Sequence, residues 1–378
     1  MNSLMDLLGE AGEALMAMLA APYLYIAVLL AWWHARQEVV LQRTLFHVRL
    51  YSSLTVVFYR TLAGLAAGLI LSLLSLGAGG RLDEATLLCV WIALPVLALF
   101  RLRYVCIAYG AGALGVLQYV LDWSGVEASD GEAAKAVLGI DVPALLVLAG
   151  LLHIGEGLLV RWQASKFAVP LFLEGKRGKP IGAFALSGLW PVPLLWLVPM
   201  TGTGEGFALP WTPLSDLDGN AASWALLAFP VLIGFTDRTT TKWPENKARE
   251  MSWGLILYGV AIAGLAVGAW YWSPLALIAA VLAFVLHEGL LLWGRAGEAG
   301  KNPLYAQDGR GVMVLAVLPG TPAAELGLQS GEKILKVNGQ KVRDKEQLHE
   351  ALQLQAAYYR LEVANREGHV KFVQRARY

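Results

Sequence analysis

The sequence predicts a polytopic α-helical membrane bundle of about nine spans, amino terminus outside and carboxyl terminus inside, followed by a small α/β domain. Three observations carry that expectation. Of 378 residues, 57% are hydrophobic and only 16% charged, against about 25% charged in soluble globular chains. Apolar runs near the 20 residues needed to cross a bilayer recur along the first 293 positions. Composition then changes after Trp293, where short strand and helix patterns with turn residues replace the long runs.

The candidate spans are 15–33, 60–79, 85–100, 103–121, 142–160, 183–200, 221–236, 252–271 and 274–293. The start lacks the basic residues and small-residue cleavage site of a signal peptide, so the first run is expected to be retained. Orientation follows from Lys and Arg. The loops 34–59, 101–103, 161–182 and 237–251 hold 14 basic residues, whereas the intervening loops hold Arg81 and Lys135. The intervening loops are acidic, with Glu127, Asp130, Glu132, Asp216 and Asp218. Every loop therefore agrees on an outside start and a cytosolic end. Nine of the fourteen tryptophans fall near span ends, where an apolar ring with a polar N–H suits the headgroup layer. Pro191, Pro193 and Pro199 threaten the sixth span. Gly64/Gly68 and Gly264/Gly268 have the GxxxG spacing that lets helices approach, here expected to be packing within one bundle. Cys89 and Cys106 both lie in apolar runs and are expected to be buried free thiols. The basic loop Gly175-Lys176-Arg177-Gly178-Lys179 faces the cytosol and is read as a topology determinant within reach of anionic lipid.

Residues 294–302, with Gly294, Gly297 and Gly300, read as a hinge, and 303–378 as a separate cytosolic domain. Within it, Gly311–Leu318 reads as a strand, and Thr321-Pro322 opens a short helix ending near Gly327. Lys333–Val337 is a strand closed by the Asn338-Gly339 turn. Asp344 caps a helix with Leu348 and Leu352 on one face, and strands follow at 359–364 and 369–375. The order of features from Val312 to Val342, VMVLAVLPGTPAAELGLQSGEKILKVNGQKV, resembles a PDZ domain of the bacterial type. That resemblance implies an extended peptide added as a strand between Val312–Val317 and the helix 344–354. It also implies that Gly309, Arg310 and Gly311 form an anion-binding loop, and that Val312, Met313, Val314, Leu348 and Leu352 line the groove. Arg310 and Val312 depart from the hydrophobic Gly-Leu-Gly-Phe form of that loop, which leaves an internal segment open as ligand.

Two spans carry ionisable residues, which inside a bilayer suggest function by default. His153 and Glu156 lie in the fifth span, His287 and Glu288 in the ninth. The stretches LHIGEGLL and LHEGLL resemble each other at a separation of 132–134 residues, and both spans run from outside to inside. The four side chains form either one site for a metal or proton, or a polar cluster pinning two helices. The expectation is the cluster, with no metal, no cofactor and no catalytic residue. A zinc protease of the His-Glu-x-x-His type is excluded, because Leu291 stands where the second His belongs. No P-loop, intramembrane serine-protease motif or long basic tract for nucleic acid is present.

The segment Phe46-His47-Val48-Arg49, the stretch Gly64–Gly79, the two His/Glu spans and the terminal PDZ pattern together resemble the MinJ family, division-site topological determinants of Gram-positive rods. The resemblance implies a membrane adaptor at septa and poles that bridges a DivIVA-like scaffold and a MinD-like ATPase. Two alternatives fit the same layout: a transporter or ion-coupled protein with a regulatory PDZ domain, and a degenerate intramembrane protease that binds without cutting.

Overall fold

A computed structural model of the chain describes residues 2–175, 180–200, 206–306, 308–354 and 358–376. Lys176, Arg177 and Lys179 of the basic loop lie outside them. The amino-terminal region runs α1 (Asn2–Ala20), α2 (Pro22–Phe46), α3 (Ser53–Ala78), α4 (Glu84–Phe100), α5 (Ile107–Trp123), α6 (Glu132–Leu138), α7 (Val142–Leu159), β1 (Val169–Glu174), β2 (Pro180–Met200), β3 (Ser223–Thr239), α8 (Pro244–Tyr271) and α9 (Pro274–Ala296). The carboxyl-terminal region continues β4 (Tyr305–Ala306), β5 (Val312–Met313), α10 (Pro322–Glu325), β6 (Lys333–Val337), β7 (Gln340–Lys341), α11 (Lys345–Gln353), β8 (Tyr358–Ala364) and β9 (Val370–Ala376).

Nine helical spans are not what forms. Among the described residues, four helices are long and apolar enough to cross a membrane: α3, α7 with the turn that extends it to Ala164, α8 and α9. A fifth is reached if α1 and α2 count as one span bent by 60°. That bend interrupts the expected span 15–33. Pro22 disfavours helical backbone at the residue before it, and Ala21 is extended at φ −80°, ψ 145°. The expected spans 85–100 and 103–121 are helices of 17 residues each, α4 and α5.

The expected spans 183–200 and 221–236 are strands. β2 and β3 pair antiparallel from Phe184↔Thr239 to Met200↔Ser223; β1 pairs with the opposite edge of β2 over Pro180–Ala185, and β4 pairs with Ile181 and Gly182 on the β3 side. The reason lies in the prolines. Pro191, Pro193 and Pro199 each fix an extended predecessor, and three in nine residues leave no room for a helix. Alternate side chains of β2 form the buried face: Phe184, Leu186, Trp190, Val192, Leu194 and Trp196. Hydropathy does not separate such a strand from a spanning helix, since both are long apolar runs.

A strand within an apolar bundle must satisfy the edge that has no partner strand. α3 does this for β2. Its residues Arg60, Gly64, Gly68, Ser72 and Ser75 form one stripe at helical spacing. Arg60 donates to the Ser187 carbonyl at 3.1 Å. A Cβ at Gly64 would stand 2.0 Å from the Pro191 carbonyl oxygen, and one at Gly68 2.2 Å from that of Pro193. The Leu195 N–H donates to Ser72 Oγ at 2.9 Å, and Ser75 Oγ donates to the Leu195 carbonyl at 2.5 Å. Pro191 and Pro193 have no N–H to satisfy on that edge, so their carbonyls can lie against bare glycine. The first GxxxG pair thus seats a strand rather than a helix. At the second pair, a Cβ on Gly264 would meet nothing within 4 Å.

α7 is the central element. It starts with Asp141 accepting the Ala144 N–H at 3.0 Å and has most of its length enclosed. α3, α5, α8 and α9 pack against it, with α4 against α5, and Leu69, Trp91, Leu99, Leu257 and Leu292 point outward, an apolar exterior suited to lipid.

The carboxyl-terminal strands form a second sheet ordered β5-β6-β8-β9, with β7 beside β6. Local chemistry explains its elements. Asn338 and Gly339 both have positive φ, as a tight hairpin turn demands, and Asp344 caps α11 by accepting the Gln347 N–H at 2.8 Å. The domain is fastened to the bundle. β4 pairs with β2, and Arg366 lies 4.4 Å over the Trp243 ring. Between the two regions, Glu298 accepts from the Thr240 N–H at 2.8 Å, and its carboxylate lies 3.8 Å from the buried Lys247 ammonium.

Candidate functional site

Two places hold the residues singled out by sequence. The first is the groove side of the carboxyl-terminal domain. β5 is the outermost strand of its sheet among the described residues. Val312, Val314, Leu348 and Leu352 pack around one apolar cluster centred on Ile334, Val337, Ala351 and Val363. Met313 points the other way, as neighbours in a strand must, and packs toward the bundle with Leu315. What Met313 presents at the open edge is its backbone.

The loop before β5 is tightly built. Gly309 and Gly311 have φ of 71° and 153°, and a Cβ at Gly311 would stand 2.6 Å from the Ile334 carbonyl oxygen. Asp308 occupies the loop itself, accepting the Arg310 N–H at 3.0 Å and pairing with Lys333 at 2.8 Å. Partial burial pushes the Asp308 carboxyl up, but the Lys333 and Arg310 hydrogen bonds and charges outweigh it and hold it below its ordinary value. Its contribution is therefore present above the usual aspartate range and is lost as pH falls through that lowered value.

The second place is where α5, α7 and α9 meet. His153 and His287, 134 positions apart, have ring centroids 5.2 Å apart and are 2% and 8% exposed. Sequence reasoning missed the third member. Cys106, at the start of α5, brings its Sγ within 3.3 Å of His153 Nε2 and 3.9 Å of His287 Nε2. The three ligating atoms lie within 4.8 Å of one another. A cysteine in an apolar run carries no sequence mark of this role; only its place at the end of a span abutting the two His-bearing helices could have suggested it.

The ring protons can be assigned. His153 Nδ1 lies 2.7 Å from the Ala149 carbonyl, which only accepts, so Nδ1 carries the proton. Tyr109 donates its hydroxyl to Glu288 Oε1 at 2.8 Å, so its oxygen accepts from His287 Nδ1, also at 2.8 Å. A neutral ring protonated at Nδ1 carries its lone pair on Nε2, and both Nε2 atoms face Cys106 Sγ. Arg103 donates to Glu288 Oε2 at 2.7 Å and neutralises it. Glu156 differs: its carboxylate lies 3.9 Å from His153 Nε2, the one basic side chain paired with it among the described residues. The structure thus brings His153 and His287 together, leaves Glu156 beside His153 alone, and turns Glu288 to Arg103.

Comparisons with known proteins follow the same division. A family profile described as a PDZ domain matches residues 313–363. The cell division topological determinant MinJ of Bacillus subtilis is 30% identical over 360 residues, which is 94% of this chain and 88% of that protein. Probable cell division topological determinants MinJ of Lacticaseibacillus paracasei and Lacticaseibacillus casei are 27% identical over 61% of each chain. No solved structure matches. With a helical apolar region, a PDZ domain and this near-complete alignment, the chain belongs to the MinJ family of cell division topological determinants.

Proposed function

We propose that the protein is a membrane-anchored adaptor that holds cytosolic division proteins at the membrane through the open edge of β5. The observation that carries this reading is an edge strand, open on one side among the described residues and backed by Val314, Leu348 and Leu352, in a domain fastened to an apolar bundle. An edge strand takes an added strand through its main-chain groups, and neighbouring side chains select the sequence. The added segment is internal rather than a free carboxyl terminus. Asp308 already occupies the Arg310 N–H and places a carboxylate where a terminal carboxylate would have to sit. A DivIVA-like scaffold and a MinD-like ATPase, implied by the family resemblance, are the partner classes.

The proposed topology has the amino terminus outside and the PDZ domain in the cytosol. Two expected helical spans are lost together as one hairpin, so the alternation of basic and acidic loops is undisturbed. Residues 1–293 then act as the membrane unit, 294–302 as the connection and 303–378 as the recruiting domain, with enrichment at septa and poles. Crosslinked pull-down from membranes, with the full chain and with a chain lacking 303–378, tests the reading. The division proteins should be recovered only with the full chain; equal recovery from both rejects it. A fluorescent fusion spread evenly around dividing cells would reject the location.

A further inference from the structure

We propose that Cys106, His153, His287 and Glu156 form a structural binding site for a borderline-soft divalent cation of the zinc class, pinning α5, α7 and α9 together.

Four observations carry it. The first is donor geometry. Tetrahedral zinc with Zn–S about 2.3 Å and Zn–N about 2.0–2.1 Å sets sulfur and nitrogen ~3.6 Å apart. The two Cys106–His separations, 3.3 and 3.9 Å, straddle that value. The second is orientation. Each imidazole donates its Nδ1–H away from the site, His153 to a backbone carbonyl and His287 to the Tyr109–Glu288 pair. Such outer partners fix a metal-ligating histidine with Nε2 free.

The third is proton count. Two lone pairs converge on one thiol, and a single S–H can satisfy only one of them. A cation satisfies both and the sulfur together. The fourth is charge. Glu156 lies in the central helix and has no Lys or Arg paired with it among the described residues, only His153 at 3.9 Å, whereas Glu288 has Arg103. A buried carboxylate without a cation is costly. One divalent ion balances the Glu156 carboxylate and the Cys106 thiolate, giving an electrically neutral site. Binding breaks the S–H bond and releases that proton to solvent, leaving the electron pair on sulfur as the metal ligand. Sulfur and imidazole donors favour zinc over magnesium or calcium, which take oxygen. Cys106, His153 and His287 already converge, and the Glu156 carboxylate, 3.9 Å from His153 Nε2, has to swing onto the ion as the fourth ligand to close the coordination sphere in the manner of structural zinc.

The test uses the full chain, purified in detergent, stripped with a chelator and equilibrated against buffered zinc or cobalt. The expected result is about one metal per chain. The cobalt form should show a thiolate charge-transfer band and tetrahedral d–d bands. Cys106→Ser should abolish the charge-transfer band, and Tyr109→Phe should weaken affinity about 10–100-fold. In a Cys89→Ala background, which retains every ligand, zinc should slow alkylation of Cys106 in the otherwise native protein. The proposal is overturned if the unaltered chain takes up no stoichiometric metal. It is equally overturned if Cys106→Ser keeps both the metal and the band, or if zinc leaves the Cys106 alkylation rate unchanged.

Discussion

α7 and α9 carry nearly the same residues, Leu-His-Ile-Gly-Glu-Gly-Leu-Leu and Leu-His-Glu-Gly-Leu-Leu, and put them to different use. Their histidines meet, but their carboxylates part. In α7 the glutamate follows the histidine by three positions, so Glu156 returns to the face of His153. In α9 it follows by one, a turn of about 100° around the helix, so Glu288 faces Arg103 and Tyr109 instead. One carboxylate stays at the converging lone pairs without a cation; the other is spent on orienting the second ring. The glycine pairs diverge in the same manner. Gly64 and Gly68 lie under the carbonyls of a strand, while Gly264 faces open space. Equal motifs acquire roles from what the fold sets against them.

The comparison can be broken most severely at the glycines. Gly64→Val forces a side chain into the Pro191 carbonyl and should cost about 3 kcal/mol or more. Gly264→Ala should be neutral or stabilise by about 0.5–1 kcal/mol, by removing glycine from a helix. Thermal midpoints of the two purified variants decide it, and equal loss in both would show that both pairs sit at close contacts.

A smaller effect separates the carboxylates. In protein stripped of metal, Glu288→Gln should lose about 1.5–3 kcal/mol, since Arg103 loses its ion pair and Tyr109 a charged acceptor. Glu156→Gln, measured the same way, should leave the midpoint unchanged or raise it, because it removes a carboxylate that no cation balances. In zinc-loaded protein the sign for Glu156→Gln should reverse. Smallest is the hydroxyl that ties His287 to Glu288. Tyr109→Phe should lose about 1–2 kcal/mol in the stripped protein. A comparable substitution cannot unseat His153, whose ring is held by the Ala149 backbone carbonyl.

Local chemistry made the PDZ domain readable. The Asp344 cap, the Asn338-Gly339 turn and the alternation of β8 and β9 each act within a few residues, and the structure realises them where the sequence puts them. The membrane region was readable for burial but not for secondary structure. Its apolar runs mark what leaves water, and the same runs serve α7 as a helix and β2 as a strand. The proline spacing at 191, 193 and 199 marked the disruption but not the hairpin, because their partners in β3, Leu232, Pro230 and Trp224, lie 41, 37 and 25 residues downstream. The candidate site divides likewise. His153 and His287 were visible as ionisable residues in apolar spans, with Glu156 at a spacing that fixes its face.

By itself, then, the sequence determined that an apolar region precedes a PDZ domain, which loops carry the basic residues, and which side chains are expensive to bury. Those are properties of composition and short-range spacing. Tertiary structure alone decided that two apolar runs pair as strands and that a glycine stripe closes their edge. It alone brought Cys106 between two histidines from helices 134 positions apart. Hydropathy sets a residue's environment, but the partner that satisfies its donors and charges comes from another part of the chain, and only packing chooses it.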